Sequence, residues 1–328
     1  MTKLRLGIIG AGYIGGVHAG ILARDERVQL TAIHDVDHER ATKLARMHDA
    51  TVATTPTEVI ERCDAAYITT PNTQHVALTL AALDAGKHVF CEKPLATNIA
   101  DAQSVHQRAN RPTGQSVFQV GHNRRFAPVY ATLKQLISET HTPHSAHVKM
   151  NRGELLNPVW TSDPAITGGF LYETPIHMFD MMRFLFGEVE SLHALGSRHE
   201  YKEVDDFSVL LKFTSGFHAT LATAADASWL FPFERVEVFC HHATFATREM
   251  ESLVISTNLQ GHFTEQSMQQ LPREEKWGYL QEDRAFIDAI NDRTPPLATA
   301  RDGLMSVELV HAVYESVESG KAVAVRVW

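Results

Sequence analysis

The segment LRLGIIGAGYIG, residues 4–15, constrains the fold of this chain more than any other stretch. An apolar run ends in a loop with glycine at positions 10, 12 and 15, and a helical pattern follows. The run predicts a buried parallel strand, and the loop predicts a tight turn into a helix. Gly10 permits the turn, Gly12 lets a pyrophosphate approach the backbone, and Gly15 allows close helix packing. The segment therefore predicts a dinucleotide-binding loop that includes Tyr13 and Ile14; the alternative is a structural turn without a ligand.

Asp35 indicates which dinucleotide would bind. It lies twenty residues after Gly15, at the end of a second strand pattern, VQLTAIHD. A carboxylate at this place accepts hydrogen bonds from the adenosine ribose hydroxyls and repels a 2'-phosphate. The first cation after it is Arg40. Asp35 therefore predicts NAD rather than NADP, unless it is only a solvated carboxylate at a strand end.

Strand and helix patterns alternate from the first residue to about residue 121. Strict alternation of this kind predicts a doubly wound parallel sheet, an α/β fold. Beyond it, several strand candidates show partial apolar alternation, which is typical of an antiparallel sheet with one covered face. A chain of 328 residues is long enough for two domains. We expect a nucleotide-binding domain over 1–121 and an α/β substrate and oligomerisation domain over 122–328.

Composition excludes several classes of protein. The formal charge of -9 argues against a nucleic-acid partner, because no basic field would attract phosphates. No apolar run approaches the length of a membrane span. The three cysteines are scattered and odd in number, which favours a reducing compartment and a cytoplasmic location.

The stretch CEKPLATN, residues 91–98, places polar residues where a buried strand should end. Glu92, Lys93 and Pro94 directly follow the apolar run KHVFC. In open α/β sheets, ligands bind outside the carboxyl ends of the strands. The stretch therefore indicates a working site, with a plain solvated loop as the alternative.

A second cluster occurs in GGFLYETPIHMFD, residues 168–180. Glu173, His177 and Asp180 are spaced to form one stripe if the segment is a continuous helix. A histidine beside carboxylates suits acid–base chemistry, because its pKa lies near neutral pH. The alternative is a half-buried helix with a core histidine.

The adjacent pair His241-His242 does not predict a metal site. Neighbouring residues on a strand point to opposite faces, so they make a poor pair of ligands. No HExxH or CxxC motif accompanies them. We interpret them as turn residues and expect no metal.

Six segments in this order resemble the glucose-fructose oxidoreductase, inositol dehydrogenase and MocA family. They are GIIGAGYIGGVHAG, YITTPNTQH, AGKHVFCEKPLATN, GHNRRFAPVY, GGFLYETPIHMFDMMRFLFGEV and DGLMSVELVHAVYESVESGKAV. The resemblance covers nearly the whole chain. It implies an N-terminal Rossmann domain and a C-terminal α/β domain on a large, mostly antiparallel open sheet. It also implies that one face of that sheet carries the substrate site and that the other joins subunits, as a homodimer or homotetramer.

The resemblance also implies roles for individual residues. Lys93 would contact the reacting hydroxyl of the substrate, and His177 would transfer the proton of that hydroxyl. Glu92 would line the cofactor pocket. Pro94 would fix the loop, and a cis Lys93–Pro94 bond would serve that purpose. Residues expected near the nicotinamide are Thr70, Pro71, Asn72 and His75, the last of them more as a helix-start residue than as a catalytic one. Residues expected to reach substrate are Asn123, Arg124 and Trp160, although a tryptophan is more often a packing residue.

The chain departs from the family pattern at two positions. Glu173 replaces an aspartate and Pro175 replaces a glycine. Glutamate is longer by one methylene, and a misplacement near 1 Å costs about 100-fold in rate. Either the pocket suits a different substrate or catalysis is weak.

Taken together, these features predict an NAD-dependent dehydrogenase acting on a secondary alcohol of a sugar, cyclitol or related polyol, or on the matching ketone. The alternative is a non-catalytic dinucleotide-binding regulator of the same fold. Lys93 and His177 favour the interpretation as an enzyme, whereas Glu173, in place of the family aspartate, leaves the interpretation as a regulator in place.

Overall fold

The chain forms two compact units, each built on one sheet. The computed structural model describes residues 3–111, 116–153, 159–228, 233–259 and 261–328. The units are Met1–Asn123 with Tyr279–Leu304, and Arg124–Gly278 with Met305–Trp328. The first crossing lies close to the boundary expected after residue 121. The return of residues 279–304 to the first unit was not expected, because an amphipathic helix pattern shows which face is buried but not which sheet covers it.

The first unit contains six parallel strands in the order β3-β2-β1-β4-β5-β6. This is the strand order of the doubly wound dinucleotide-binding fold, so the predicted fold class is confirmed. The strands are β1 Leu4–Ile9, β2 Val28–His34, β3 Thr51–Val52, β4 Ala65–Ile68, β5 His88–Glu92 and β6 Phe118–Gly121.

Helices flank this sheet, and several begin at the side chains that favour a helix start. Asp37, Thr55 and Asn98 each accept hydrogen bonds from backbone N–H groups of the first turn. Pro56 occupies the first helical position of α3, where its missing N–H costs nothing. The helices of this part of the chain are α1 Tyr13–Leu22, α2 His38–Met47, α3 Pro56–Arg62, α4 His75–Asp84 and α5 Ile99–Ala109, with α11 Tyr279–Asp292 joining later.

The second unit contains nine strands in the order β14-β13-β12-β11-β7-β10-β9-β8-β15. β7 and β10 pair in parallel, and the other neighbours are antiparallel, so the sheet is mixed but mostly antiparallel. The strands are β7 Pro143–Asn151, β8 Val189–Ser197, β9 Asp206–Phe213, β10 His218–Ala224, β11 Glu234–Cys240, β12 Ala243–Arg248, β13 Ser252–Thr257, β14 Thr264–Ser267 and β15 Val323–Ala324.

Alternation along the central strands leaves one face of this sheet covered and one open. In β9 the residues Phe207, Val209, Leu211 and Phe213 are buried, while the residues between them are exposed. β13 to β15 were not predicted: β14 is polar and exposed throughout, and β15 has two residues, so neither carries an alternating apolar signal.

The remaining helices are α6 Pro128–Glu139, α7 Pro164–Thr167, α8 Phe170–Glu173, α9 Ile176–Phe186, α10 Arg273–Lys276 and α12 Ala300–Ser319. The spacing of the apolar residues at 304, 307, 310, 313 and 317 predicts one buried face of α12. Leu304, Val307, Val310 and Val313 are buried, and Val317, near the end of the helix, is half-buried. Within the described ranges, no helix combines the length and the apolar character needed to cross a membrane.

Candidate active site

Four of the predicted residues lie at one edge of the parallel sheet. Because the strands run the same way, their carboxyl ends meet at that edge. Gly10 follows β1, Asp35 follows β2, Thr70 comes two residues after β4, and Lys93 follows β5. The sheet topology therefore brings together residues that are far apart in the sequence.

The glycine turn has the geometry that its spacing predicts. Gly10 has φ +105°, and a Cβ there would lie 2.6 Å from the backbone carbonyl of Thr69. A Cβ on Gly15 would lie 2.0 Å from the Gly10 carbonyl oxygen. By contrast, no heavy atom of the described residues lies within 4 Å of the Cβ position of Gly12, and none of their side chains caps α1 there. The turn is tightly packed at Gly10 and Gly15 and has free space at Gly12, next to the N-terminus of α1, where a phosphate group can bind.

Asp35 is fixed to this turn. Its Oδ2 accepts a hydrogen bond from the Ala11 N–H at 2.7 Å, and its Oδ1 accepts one from the Asp37 N–H at 2.8 Å. A carboxylate offers about four acceptor positions, so positions remain for two ribose hydroxyls. The Arg40 guanidinium pairs with the carboxylate of Asp37, at 2.8 Å, and that carboxylate offsets the positive charge that would attract a 2'-phosphate. The site fits NAD.

His75 is the first residue of α4, as expected, and lies at the edge where the nicotinamide is predicted to bind. Its Nε2 lies 2.8 Å from the Thr70 carbonyl oxygen and its Nδ1 lies 2.7 Å from the Pro94 carbonyl oxygen, so the ring ties the ends of β4 and β5 together. The hydroxyl oxygen of Thr70 is buried and has no hydrogen-bond partner among the described residues. Pro71 leads into a 3-10 turn that begins at the buried Asn72. A buried hydroxyl without a partner at this edge is a group available to a ligand.

The Glu92-Lys93-Pro94 segment ends β5. The Lys93–Pro94 peptide bond is cis, as suggested by the sequence. Glu92 is buried, and its Oε2 accepts a hydrogen bond from the backbone N–H of Lys93 at 3.0 Å. Its Oε1 lies 3.2 Å from Nε2 of His18, a residue that sequence reasoning missed. The Lys93 side chain is half-buried at the edge where ligands bind.

The second cluster differs from its prediction. Glu173 is the last residue of α8, whereas His177 lies in the first turn of α9, with Thr174 and Pro175 between them. The prediction of one continuous stripe of Glu173, His177 and Asp180 is therefore wrong, because the chain leaves the helix before Pro175 and a new helix begins at Ile176.

Asp180 is paired with an arginine in this arrangement. Its carboxylate forms a buried pair with Arg125, with N–O distances of 2.6 and 2.8 Å. A bidentate pair of this kind uses the carboxylate structurally. Of the predicted stripe, only His177, which is 9% exposed, and the half-buried Glu173 remain as candidates.

The turn that leads into these residues is tightly packed. Gly168 and Gly169 have φ values of +84° and +119°. A Cβ on Gly169 would lie 2.6 Å from Oε2 of Glu203 and 3.0 Å from the hydroxyl of Tyr314. Oε1 of Glu203 accepts the Phe170 N–H at 2.8 Å. The absence of a side chain at Gly169 thus lets the backbone approach Glu203 and Tyr314 closely.

Arg152 supports the same segment from the other side and was also missed. It is buried, and its Nε donates to the hydroxyl of Thr174 at 2.9 Å. Its guanidinium carbon lies 5.0 Å from the centroid of the Phe170 ring. Arg152 therefore links both ends of α8, next to Glu173.

The three predicted substrate contacts lie in different settings. Arg124 is buried and donates to Oε2 of Glu234 at 2.7 and 3.1 Å, so its guanidinium has a structural partner. Asn123 is buried at the start of a 3-10 turn, and Trp160 is half-buried in another. Their contacts with substrate remain predictions.

The histidine pair lies where it was predicted, in the turn between β11 and β12, and His242 has φ +52°. Among the described residues, no group of three or more potential ligands could hold a metal ion.

A cavity of about 660 Å³ lies at the opposite edge of the parallel sheet. Its lining includes His88 and Phe118, which begin β5 and β6. Ligands of this fold bind at the carboxyl edge, so the cavity is separate from the site described above.

Comparison with known proteins decides the family. Residues 4–122 match the oxidoreductase-family model with an NAD-binding Rossmann fold, and residues 134–325 match the model of its C-terminal alpha/beta domain. The chain belongs to the Gfo/Idh/MocA oxidoreductase family. Its first unit is thus an NAD-binding Rossmann domain, which agrees with the geometry at Asp35.

Named relatives match this Gfo/Idh/MocA protein from end to end. The myo-inositol 2-dehydrogenase of Thermotoga maritima is 30% identical and covers 98% of both chains. The inositol 2-dehydrogenase of Rhizobium meliloti is 27% identical, over 98% of this chain and 99% of its own.

Solved structures share the fold. A probable dehydrogenase from Thermotoga maritima has TM-score 0.81 and 27% identity, over 98% of each chain. Levoglucosan dehydrogenase, in complex with NADH and levoglucosan, has TM-score 0.91 and 20% identity, over 99% of this chain and 100% of its own. At that identity the second likeness concerns the fold alone.

Proposed function

We propose that this protein is an NAD-dependent dehydrogenase that interconverts a secondary alcohol of a cyclitol or sugar and the corresponding ketone. The observation that carries the proposal is the end-to-end match with relatives named inositol 2-dehydrogenases. An NAD-fitted turn and a lysine at the adjoining strand end support it.

Each proposed role follows from the chemistry of the side chain. Bound NAD supplies the acceptor or donor of the hydride that the reacting carbon exchanges. The cationic Lys93 orients the reacting oxygen and stabilises the negative charge that develops on it. His177 takes up the hydroxyl proton during oxidation and returns it during reduction. Glu173 orients the imidazole from the end of α8.

A polyol panel tests the activity. The purified protein is mixed with NAD, and absorbance at 340 nm is followed while myo-inositol, chiro-inositol, glucose and an anhydro-sugar are added in turn. We expect turnover with at least one cyclitol or sugar, and the reverse reaction with its ketone. Tight NAD binding without turnover on any member of the panel would contradict the proposal and favour the regulator.

Three variants test the roles with the substrate so identified. Losing a general base typically costs about 10²- to 10⁴-fold in rate, so His177→Ala should lower kcat by that order and leave the Kd for NAD unchanged. Lys93→Met should lower kcat at least as much. Glu173→Asp should be tolerated or should raise kcat, because it restores the shorter carboxylate of the family pattern. Near-native kcat in His177→Ala would remove this histidine from the mechanism.

A further inference from the structure

Three ionisable side chains form a buried chain beneath the carboxyl end of β5. His18 lies on α1 and is fully buried. Its Nδ1 lies 2.8 and 3.0 Å from the two carboxylate oxygens of Asp283, on α11. Its Nε2 lies 3.2 Å from Oε1 of Glu92. Both ring nitrogens thus face carboxylates. An imidazolium can donate a hydrogen bond from each nitrogen, whereas a neutral ring has only one N–H to donate.

The charges of the cluster agree with this arrangement. Burial acts to lower the pKa of His18, but Asp283 and then Glu92 outweigh it and raise that pKa well above its usual value. Burial acts to raise the pKa of Glu92, but His18 and the Lys93 ammonium reverse the effect and lower it. Burial raises the pKa of Asp283, which His18 opposes.

Three aromatic rings pack around the imidazole. The ring centroids of Phe90, Tyr67 and Tyr279 lie 4.9, 5.4 and 5.9 Å from that of His18. Burial raises the pKa of Tyr67, and Asp283 adds to the effect, so that phenol is neutral near neutral pH. In the part of the chain that the structure describes, the charged groups that act on His18 are therefore Asp283 and Glu92.

Glu92 connects this cluster to the lysine. One oxygen faces His18, and the other accepts the hydrogen bond from the Lys93 backbone N–H. Gly121, at the end of β6, packs against the same carboxylate: a Cβ there would lie 2.9 Å from the carboxyl carbon of Glu92. The position of the carboxylate is fixed from both sides, and the backbone at Lys93 is bonded to it.

We infer that His18 and Asp283 are positioning residues that hold the Glu92 carboxylate in place and, through its bond to the Lys93 backbone, set the position of the lysine. The inference rests on the proposed role of Lys93 at the reacting oxygen. A buried carboxylate without a paired cation is strongly disfavoured, so it must take up a proton or move toward water. Either response loosens the segment that carries Lys93.

His18→Gln and Asp283→Asn test the inference in the full-length protein. A displacement near 1 Å costs about 100-fold in rate, so we expect kcat of His18→Gln to fall by about 10- to 100-fold. The Kd for NAD, measured by fluorescence without substrate, should change less than about threefold, because the phosphate turn and Asp35 are untouched. His88→Gln is the matched control: this histidine accepts the Val117 N–H at the opposite edge and does not contact Glu92.

Two measurements report on the charge and not only on packing. In wild-type protein without NAD, nitrogen NMR of labelled histidine should show both His18 nitrogens protonated at pH 8. Asp283→Asn removes the carboxylate that contributes most to raising the pKa of His18, so this pKa should fall. The kcat of Asp283→Asn should then decline as the pH rises through the lowered pKa of His18. A ring that is neutral at pH 8 in the wild type, or a kcat in Asp283→Asn that ignores this titration, would overturn the inference.

Further outcomes separate this inference from the proposed function. If Lys93→Met keeps full kcat, the role of Lys93 fails. If Lys93→Met is impaired but His18→Gln is not, the positioning role fails, and a tenfold loss of NAD affinity in His18→Gln also overturns it. Should His18→Gln not fold, Gly121→Ala presses on the same carboxylate without changing any charge. It should lower kcat by a similar factor, and unchanged kcat there would contradict the inference.

Discussion

Asp35 has two tasks, because the carboxylate that would bind the adenosine ribose also fastens the glycine turn through the Ala11 N–H. A hydrogen bond to a charged group is worth about 1.5–3 kcal/mol, so Asp35→Ala should weaken NAD binding by about 10- to 100-fold. NADP binding should weaken less, because the repulsion of its 2'-phosphate is removed with the charge.

Asp35→Asn is the matched variant, since it keeps an acceptor for the Ala11 N–H and loses only the charge. It should narrow the gap between the two cofactors and disturb the turn less. Dissociation constants measured by fluorescence titration check both variants. Wild-type protein that binds NADP as tightly as NAD would contradict the role of Asp35.

Residues differ in how well their partners can be predicted from the sequence. The glycine turn and Asp35 are predictable because the spacing of a strand–turn–helix unit fixes their relative places. The cluster at His18 is not, because His18 lies 74 positions from Glu92 and 265 from Asp283. Only the folded sheet brings these three together, and a histidine inside an apolar helix is ordinarily interpreted as a core residue.

Among the elements, the short helix α8 shows most clearly how local sequence sets the candidate site. It starts after the Gly168-Gly169 turn and ends at Glu173, and α9 begins at Ile176, directly after Pro175. A helix that includes His177 is predictable from the apolar face of the segment. The break between Glu173 and Ile176 is harder to predict, because the residues on both sides of Pro175 keep helical spacing. The break is what separates Glu173 from the helix of His177.

The turn at α8 makes a testable prediction about stability. Gly169 and Gly187 have φ values of +119° and +93°, and backbone strain of this kind costs a non-glycine residue about 1–3 kcal/mol. A Cβ on Gly169 would lie 2.6 Å from Oε2 of Glu203, whereas a Cβ on Gly187 would have no heavy atom of the described ranges within 4 Å. Gly169→Ala should therefore lower the free energy of unfolding in urea by more than Gly187→Ala. Equal losses would show that the contact with Glu203 contributes nothing.

For the whole molecule, the open face of the nine-stranded sheet predicts self-association. Leu195 and Leu210 are 68% and 54% exposed, on the neighbouring strands β8 and β9. Exposed apolar side chains on one sheet face favour a protein partner, and a second copy is the partner that the family resemblance implies. Light scattering at micromolar concentration should give a dimer or tetramer. Leu210→Glu should reduce the assembled fraction, and Met47→Glu, on α2, should not. A monomeric wild type would contradict the prediction.

The stability of the whole molecule should also depend on the buried imidazolium. A histidine whose pKa is raised in the folded state stabilises the fold fully below its unfolded pKa of about 6.5. That contribution is lost as pH rises through the folded pKa, because the folded protein holds a proton that the unfolded chain has released. In this window the free energy of unfolding falls by about 1.4 kcal/mol per pH unit for one proton.

The double variant His18→Gln with Asp283→Asn removes the imidazolium and also the carboxylate that would otherwise take up its proton. It keeps amide groups that can bond to one another where the charged pair stood. Urea unfolding of both proteins from pH 7 to pH 9 should give curves that converge, because the wild type loses about 1.4 kcal/mol per pH unit relative to the variant. His88→Gln should keep a constant difference from the wild type over the same range. Parallel curves for wild type and double variant would mean that His18 is neutral in the folded protein. A charged imidazolium would then not be the group that holds Glu92 and Lys93 in place.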